Sequence, residues 1–189
     1  MKVKVEVDEV MDILELYKVN MRIKPETGEL VFGELPIMLA RAEIMANFLV
    51  ELESLVGQSA SSVLKRIGKT YGKKFYSLMK VGYSTMFLDD KVKIYKFFCA
   101  ETQAIGWGEI AVEEAGEEII ITSALGLASS RTFRHNNAKR DTPVDAYFLG
   151  YFEGFLAEMH EKKFFGEEVE CIAKGDKQCK FVFKPEPWG

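Results

Sequence analysis

Long apolar runs are absent from this chain. None approaches the roughly eighteen residues that a membrane-spanning helix needs. The opening Met1-Lys-Val-Lys-Val-Glu alternates charge with valine, where a signal peptide would have a basic patch and an apolar stretch. A cytoplasmic protein with no membrane span is expected. Excess positive charge is missing too, since 25 Lys and Arg stand against 29 Asp and Glu, a formal charge of −4. Phosphate backbones demand clustered, uncompensated cations, so no nucleic-acid partner is expected. The one basic run, Lys65-Arg66 with Lys69 and Lys73-Lys74, is interrupted by apolar residues at helical spacing and reads as a solvated helix face. Cysteine is scarce, with three in all, which in an intracellular chain points to a metal, a free thiol or burial before a disulfide framework. Glutamine and asparagine are scarce as well, three and four. With abundant Lys and Glu that is a thermophile-like composition, and in such organisms intracellular disulfides do occur.

Catalytic signatures are also lacking. There is no Gly-x-x-x-x-Gly-Lys-Ser/Thr cradle, no Gly-x-Gly-x-x-Gly after a strand, no Gly-x-Ser-x-Gly elbow and no His-Glu-x-x-His. Motif content thus gives no sign of intrinsic catalysis.

What the chain does have is core-forming material. With 189 residues and 48% hydrophobic content, one domain over residues 1–189 can bury a core without disulfides or metals. The patterns predict an α+β architecture, several helices packed against an antiparallel β-sheet. Lys2 to Val7 alternates as a strand, and Asp8 to Tyr17 is periodic as a helix. Met21-Arg-Ile-Lys, Pro25-Glu-Thr-Gly28 and Glu29-Leu-Val-Phe read as strand, turn and strand. Pro36 suits the first turn of a helix running to about Gly57, and a second helix follows from the Ser59–Ser62 cluster to about Met79. On it Gly68 and Gly72 share one face, so something must pack closely there. Asp89 and Asp90 suit the start of a helix over Val92–Ala104. Ile105–Val112 and Glu118–Ser123 look like an antiparallel pair, and Ser129–Thr142 carries no assignment, with Arg131–Arg140 read as a polar, basic loop. Pro143 opens the last helix. One side of it is an aromatic stripe, while Ala146, Gly150 and Gly154 leave another side nearly bare, open to a second copy of the chain.

The terminal segment Glu168–Phe183 predicts a β-hairpin turning at Gly175, with Cys171 and Cys179 four residues either side as cross-strand neighbours. Two sulfurs on one face are half of a soft-metal site. Half-buried thiols or a cross-strand disulfide are the competing readings.

Two runs carry a resemblance: Pro143-Val-Asp-Ala-Tyr-Phe-Leu-Gly-Tyr-Phe-Glu-Gly-Phe, and Glu168-Val-Glu-Cys-Ile-Ala-Lys-Gly-Asp-Lys-Gln-Cys-Lys-Phe. Together, over residues 143–183, they resemble the signature of the 4-vinyl-reductase domain family. That family includes hydrocarbon-binding proteins, a bacteriochlorophyll-biosynthesis accessory protein and the sensor domains of aromatic-responsive activators. Its fold is similar to subunits of the TRAPP vesicle-tethering particle, which carry a lipid chain in a tunnel. In the phenol-sensing members a zinc ion is held by a helix cysteine, a carboxylate three residues before the first hairpin cysteine, and both hairpin cysteines. Carried onto this sequence the resemblance implies a structural zinc on Asp145, Glu168, Cys171 and Cys179, with Asp145 standing where those sensors have cysteine. Oxygen from an aspartate still suits zinc, giving a two-sulfur, two-oxygen set. Strict strand alternation puts Val169 on the face of Cys171, so Glu168 can join only through a bulge or an irregular strand start. His160 is a substitute ligand, His135 and Cys99 weaker ones.

The resemblance further implies a small hydrophobic or aromatic ligand between helices and sheet. Phe98, Trp107, Tyr147, Tyr151 and Phe155 are the expected lining, oriented by a polar group from Tyr147, Tyr151 or His135. A binding or sensing module is therefore the first functional reading. A homodimeric assembly protein built on the bare glycine faces is the alternative. A reductase accessory role is the third, and no nicotinamide or flavin fingerprint accompanies it.

Overall fold

The computed structural model describes residues 1–82 and 90–186. Asp89 and the Pro187–Trp188 end of the tail, for which the sequence suggested a helix start and a ladder stop, lie outside the described residues. The helices are α1 Val7–Asn20, α2 Glu43–Val56, α3 Ala60–Gly82, α4 Lys91–Ala104, α5 Ala128–His135 and α6 Ala146–His160. The strands are β1 Lys2–Val3, β2 Met21–Lys24, β3 Glu29–Phe32, β4 Leu35–Ile37, β5 Ala111–Ala115, β6 Glu118–Ser123, β7 Phe164–Glu170 and β8 Cys179–Pro185. They form a five-stranded antiparallel sheet in the order β1-β5-β6-β8-β7 and a separate three-stranded sheet β2-β3-β4. The expected α+β class, antiparallel strands with packed helices, is the observed one.

Alternation decides which face of the large sheet is covered. Ile119 and Ile121 of β6, and Phe181 and Phe183 of β8, are buried at every second position, the period-two pattern of a strand with one face on a core. Phe152 of α6 meets Phe181 edge-on, ring centroids 5.3 Å apart. Helix α4 rests on the β1–β5 edge and α6 on β7. The start of α4 is fixed by Asp90, whose Oδ1 accepts from the backbone N–H of Val92 (2.9 Å) and Lys93 (3.3 Å).

The most extensive helix packing among the described elements joins α3 to α6. A Cβ on Gly68 or Gly72 would collide with the backbone carbonyls of Tyr147 or Tyr151, and one on Gly150 or Gly154 with those of Lys65 or Lys69. Four glycines thus let two backbones touch. The bare faces read as dimer surfaces are consumed by each other within one chain, so they cannot serve a second copy. The same seam corrects the basic run: Lys65 and Lys69 are not simply solvated but reach Glu153 of α6 at 2.8 and 2.5 Å.

Three further expectations change. Pro36 lies in β4, at the edge of the small sheet, where a missing N–H costs no ladder bond, and the helix begins only at Glu43. Strand β1 is shorter than its alternating valines suggested. The unassigned, loop-like segment is half helix: α5 buries Phe133 and ends with Asn137 at positive φ. Arg140, beyond it, stacks on Phe133 and pairs with Glu53 of α2.

Candidate functional site

Strand β7 begins as a regular strand, burying Phe164, Gly166 and Glu168 and exposing Phe165, Glu167 and Val169. Its ladder with β8 then slips between Glu168 and Glu170, so Phe181 opposes Glu168 and Lys180 opposes Glu170. Val169 is the extra residue of a β-bulge, 41% exposed. A bulge changes which face later residues take, and here it turns both Glu168 and Cys171 inward. The hairpin starts four residues earlier than Glu168, and its connection is a 3-10 turn, Ile172–Lys174, closed by Gly175 at φ 103°. Asp176 holds that turn, accepting from the Cys171 N–H at 2.8 Å.

Asp145 comes to the same place from the start of α6. It occupies the N-cap position, yet its side chain makes no capping hydrogen bond. Its Oδ1 accepts instead from the Ser130 N–H of α5 at 3.1 Å, and its Oδ2 lies 3.3 Å from the Cys179 thiol, which donates to it. Its own backbone N–H donates to Glu168 Oε2 at 3.1 Å, leaving Glu168 Oε1 buried with no hydrogen-bond partner among the described residues. Asp145, Glu168, Cys171 and Cys179 are all buried, and one ligand atom from each lies within 4.8 Å of the others. Cys171 and Cys179 are free thiols.

The electrostatics of this cluster favour protons in the absence of a cation. Burial raises the pKa of Asp145, and burial followed by the nearby Asp145 charge raises that of Glu168 well above the carboxylate range. Cys171 is also pushed up, first by its hydrogen bond with Cys179 and then by burial. Four potential anions share a dry pocket, with no Lys or Arg paired to them among the described residues. Two sulfurs and two carboxylate oxygens match a borderline-soft divalent ion, and the orphaned Glu168 oxygen is an acceptor awaiting one. The group can hold a metal ion.

The other expected ligands stand elsewhere. His160 Nε2 lies 2.7 Å from the Tyr95 hydroxyl and 3.7 Å from Glu114, and burial lowers its pKa. His135 is exposed in the last turn of α5, away from the ring cluster it was expected to orient. Cys99 is a core thiol, its pKa pushed up to about 12 by burial.

Phe98, Trp107, Tyr147, Tyr151 and Phe155 do meet, as one aromatic cluster centred on Tyr151. Its ring lies 5.6 Å from Phe98 and 5.0 Å from Trp107, while Phe98 stacks on Phe155 at 3.8 Å and Trp107 meets Tyr147 at 6.0 Å. Sequence reasoning missed the α3 contribution, Tyr71 and Phe75, at 5.7 and 5.8 Å from Tyr151. It also missed Glu101, 4% exposed, one turn beyond Phe98 on α4. The signal was there, because Ile94, Phe98 and Glu101 fall on one helical stripe and the third is a carboxyl. Glu101 Oε1 accepts from the Tyr17 hydroxyl at 3.0 Å, and burial lifts its pKa to about 7. Glu101 Oε2 and the Tyr151 hydroxyl are buried without hydrogen-bond partners among the described residues.

Fold and site together define a class: an α+β domain whose last hairpin is tied to the preceding helix by a buried Cys/Cys/Asp/Glu set. Residues 136–185 match the family model of the 4-vinyl-reductase domain, the same family whose signature the two runs resemble. An uncharacterised protein of Methanocaldococcus jannaschii is 22% identical over 136 residues, 72% of this chain and 74% of that one. The phenol-responsive sensory domain of the transcription activator PoxR, solved with phenol, superposes with a TM-score of 0.75 at 18% identity, covering 95% of this chain and 92% of its own. A vinyl-4-reductase family protein from Methanocaldococcus jannaschii gives 0.53 at 17% identity, covering 93% and 94%. A trafficking protein particle complex subunit 3 from Naegleria fowleri, covalently bound to palmitic acid, gives 0.55 at 13% identity, covering 77% and 95%. At these identities the likeness is one of fold. Among the described residues no helix is long and apolar enough to cross a membrane.

Proposed function

We propose that this protein is a cytoplasmic binding or sensing module for a small aromatic or hydrophobic molecule, with a structural zinc ion clipping its terminal hairpin to α6. The observation that carries the ligand reading is the fully buried Tyr151 hydroxyl, unpartnered at the centre of the ring cluster. A buried hydroxyl without a hydrogen bond costs about 1–3 kcal/mol, and a polar ligand group would recover that. The rim of the cluster is accessible, since Tyr71 is 45% exposed and Trp107 and Tyr147 are half-buried. The fold shared with the phenol-responsive domain of PoxR supports the same reading.

Zinc on Asp145, Glu168, Cys171 and Cys179 would cross-link three segments and neutralise part of their charge; four protein ligands leave no position for a substrate water, so its role is structural. The chain's own residues prepare the site. Ser130 orients Asp145, the Val169 bulge aims Glu168, and Asp176 fixes the turn after Cys171. These are the outer contacts that hold ligands of a metal in place. Native mass spectrometry with elemental analysis, followed by titration with phenol and with toluene, tests both halves. One zinc per chain and saturable binding of either compound are expected. No zinc together with no binding would sink the proposal.

A homodimer is the second reading, favoured by exposed Val63, Ile67 and Leu78 on α3 and not by the glycines. Light scattering at micromolar concentration decides it, a monomer counting against.

A further inference from the structure

Among the described residues four carboxyl groups are buried: Glu101, Asp145, Glu153 and Glu168. Glu153 has two lysines, Lys65 and Lys69, and a backbone N–H from Gly166 at 2.9 Å. Asp145 and Glu168 belong to the candidate metal centre. Glu101 has neither a cation nor a metal partner among the described residues. Its single hydrogen bond is from Tyr17 to Oε1, and Oε2 is orphaned inside the protein. An isolated buried carboxylate is among the costliest groups a fold can carry, unless a positive charge joins it or it stays protonated.

The surroundings of Oε2 are not those of a plain structural carboxyl. Glu101 is close enough to Tyr71 and Tyr151 for its charge to raise the pKa of both hydroxyls, after burial. Tyr71, Trp107 and Tyr151 lie within 5.0–6.0 Å of one another by ring centroid, and Phe98 closes the inner side. Ring faces attract cations, and the attraction grows when water is excluded. Tyr151 adds a hydroxyl that can accept a hydrogen bond, and it too has no partner among the described residues. A carboxylate, several π faces and a phenolic oxygen are together the complement of a protonated amine on an apolar body. A neutral hydroxyl would satisfy the same atoms but leave the buried carboxyl without a counter-charge.

We propose that the ligand of the aromatic cluster carries a protonated primary amine on a small aromatic body, with Glu101 as its counter-ion and Tyr151 as its second hydrogen-bond partner. This rests on the ligand-binding reading above and names the chemical class that fits it. Burial holds the Glu101 pKa near neutrality, so a bound cation would draw the group into its ionised form. The pocket thereby selects for charge as well as for shape.

The test compares three ligands of one size, benzylamine, benzyl alcohol and toluene, by titration of the full-length protein at neutral pH. Benzylamine is expected to bind at least roughly tenfold more tightly than toluene and more tightly than benzyl alcohol. The Glu101→Gln variant is expected to lose that preference while keeping its affinity for toluene. The wild-type ranking decides the matter even where the variant fails to fold. Benzyl alcohol binding as well as or better than benzylamine would overturn the proposal, as would an unchanged benzylamine affinity in a folded Glu101→Gln chain. Binding of none of the three would overturn the ligand-binding reading itself, an outcome distinct from toluene binding alone, which removes only the amine.

Discussion

Helix α6 carries two buried carboxylates, and they are treated in opposite ways. Glu153 is completed by the chain itself, with Lys65 and Lys69 reaching across the glycine seam and Gly166 donating from β7. Asp145, at the helix start, gives up the capping bond its position offers and turns toward Glu168 and two thiols, with no cation paired to any of them among the described residues. The first arrangement is self-sufficient. The second is a set of donors that protons or a metal must complete. Burial of charge is therefore not by itself a sign of function; a missing partner is.

Four experiments press on that contrast, in descending order of effect. Cys179→Ser should abolish metal retention and destabilise the chain by several kcal/mol, because metal binding energy in such sites is folding energy; denaturant melts with metal analysis check it. Unchanged stability would make the clip as self-sufficient as the seam. Gly150→Val drives a side chain into the Lys65 carbonyl and should cost about 3 kcal/mol or more with metal stoichiometry unaltered in whatever fraction stays folded. Loss of both together would mean the two regions are not separable.

The third experiment uses pH. Burial raises both Asp145 and Glu168 above their ordinary 3.8 and 4.5, so the metal-free folded chain keeps protons that the unfolded chain releases. Their contribution to stability is complete below those ordinary values and is lost as pH rises toward the folded ones, at up to about 1.4 kcal/mol per pH unit for each proton. Zinc-loaded protein holds the ionised forms and escapes that loss. The gap between loaded and chelated protein should therefore widen from pH 5 to pH 8, and parallel stability curves would count against a metal on these groups. The smallest effect is expected from Asp145→Cys, which gives a third sulfur and should slow zinc removal by a chelator with little change in fold stability. Faster removal would show that the Ser130–Asp145 hydrogen bond matters more than ligand softness.

Much of this was legible in the sequence where one residue type does one job. The Gly68/Gly72 and Gly150/Gly154 spacings announced close helix packing, and only their mutual partnership was hidden, because periodicity names a face and not what meets it. Cys171 and Cys179 around Gly175 announced a turn. Their company with Asp145 and Glu168 came from the family signature, since cross-strand spacing cannot reach a helix start. The Val169 bulge was foreseen only as a requirement, because a slip in the ladder leaves no compositional trace. Helix α5 was missed because Ser129, Ser130 and Thr132 favour turns on their own, and the burial of Phe133 against neighbouring elements overrides that preference. Pro36 was read as a helix start by the same local logic, although an edge strand tolerates it equally. Glu101 escaped notice because a charged residue in a helix is ordinarily solvated, and only the fold shows that this one is not.

The metal clip stands or falls on the metal content of the protein purified without chelators, read by elemental analysis alongside native mass. About one zinc per chain is predicted, lost in Cys179→Ser and kept in Gly150→Val. Metal-free protein with reduced thiols, and a melting temperature indifferent to added zinc, would contradict it.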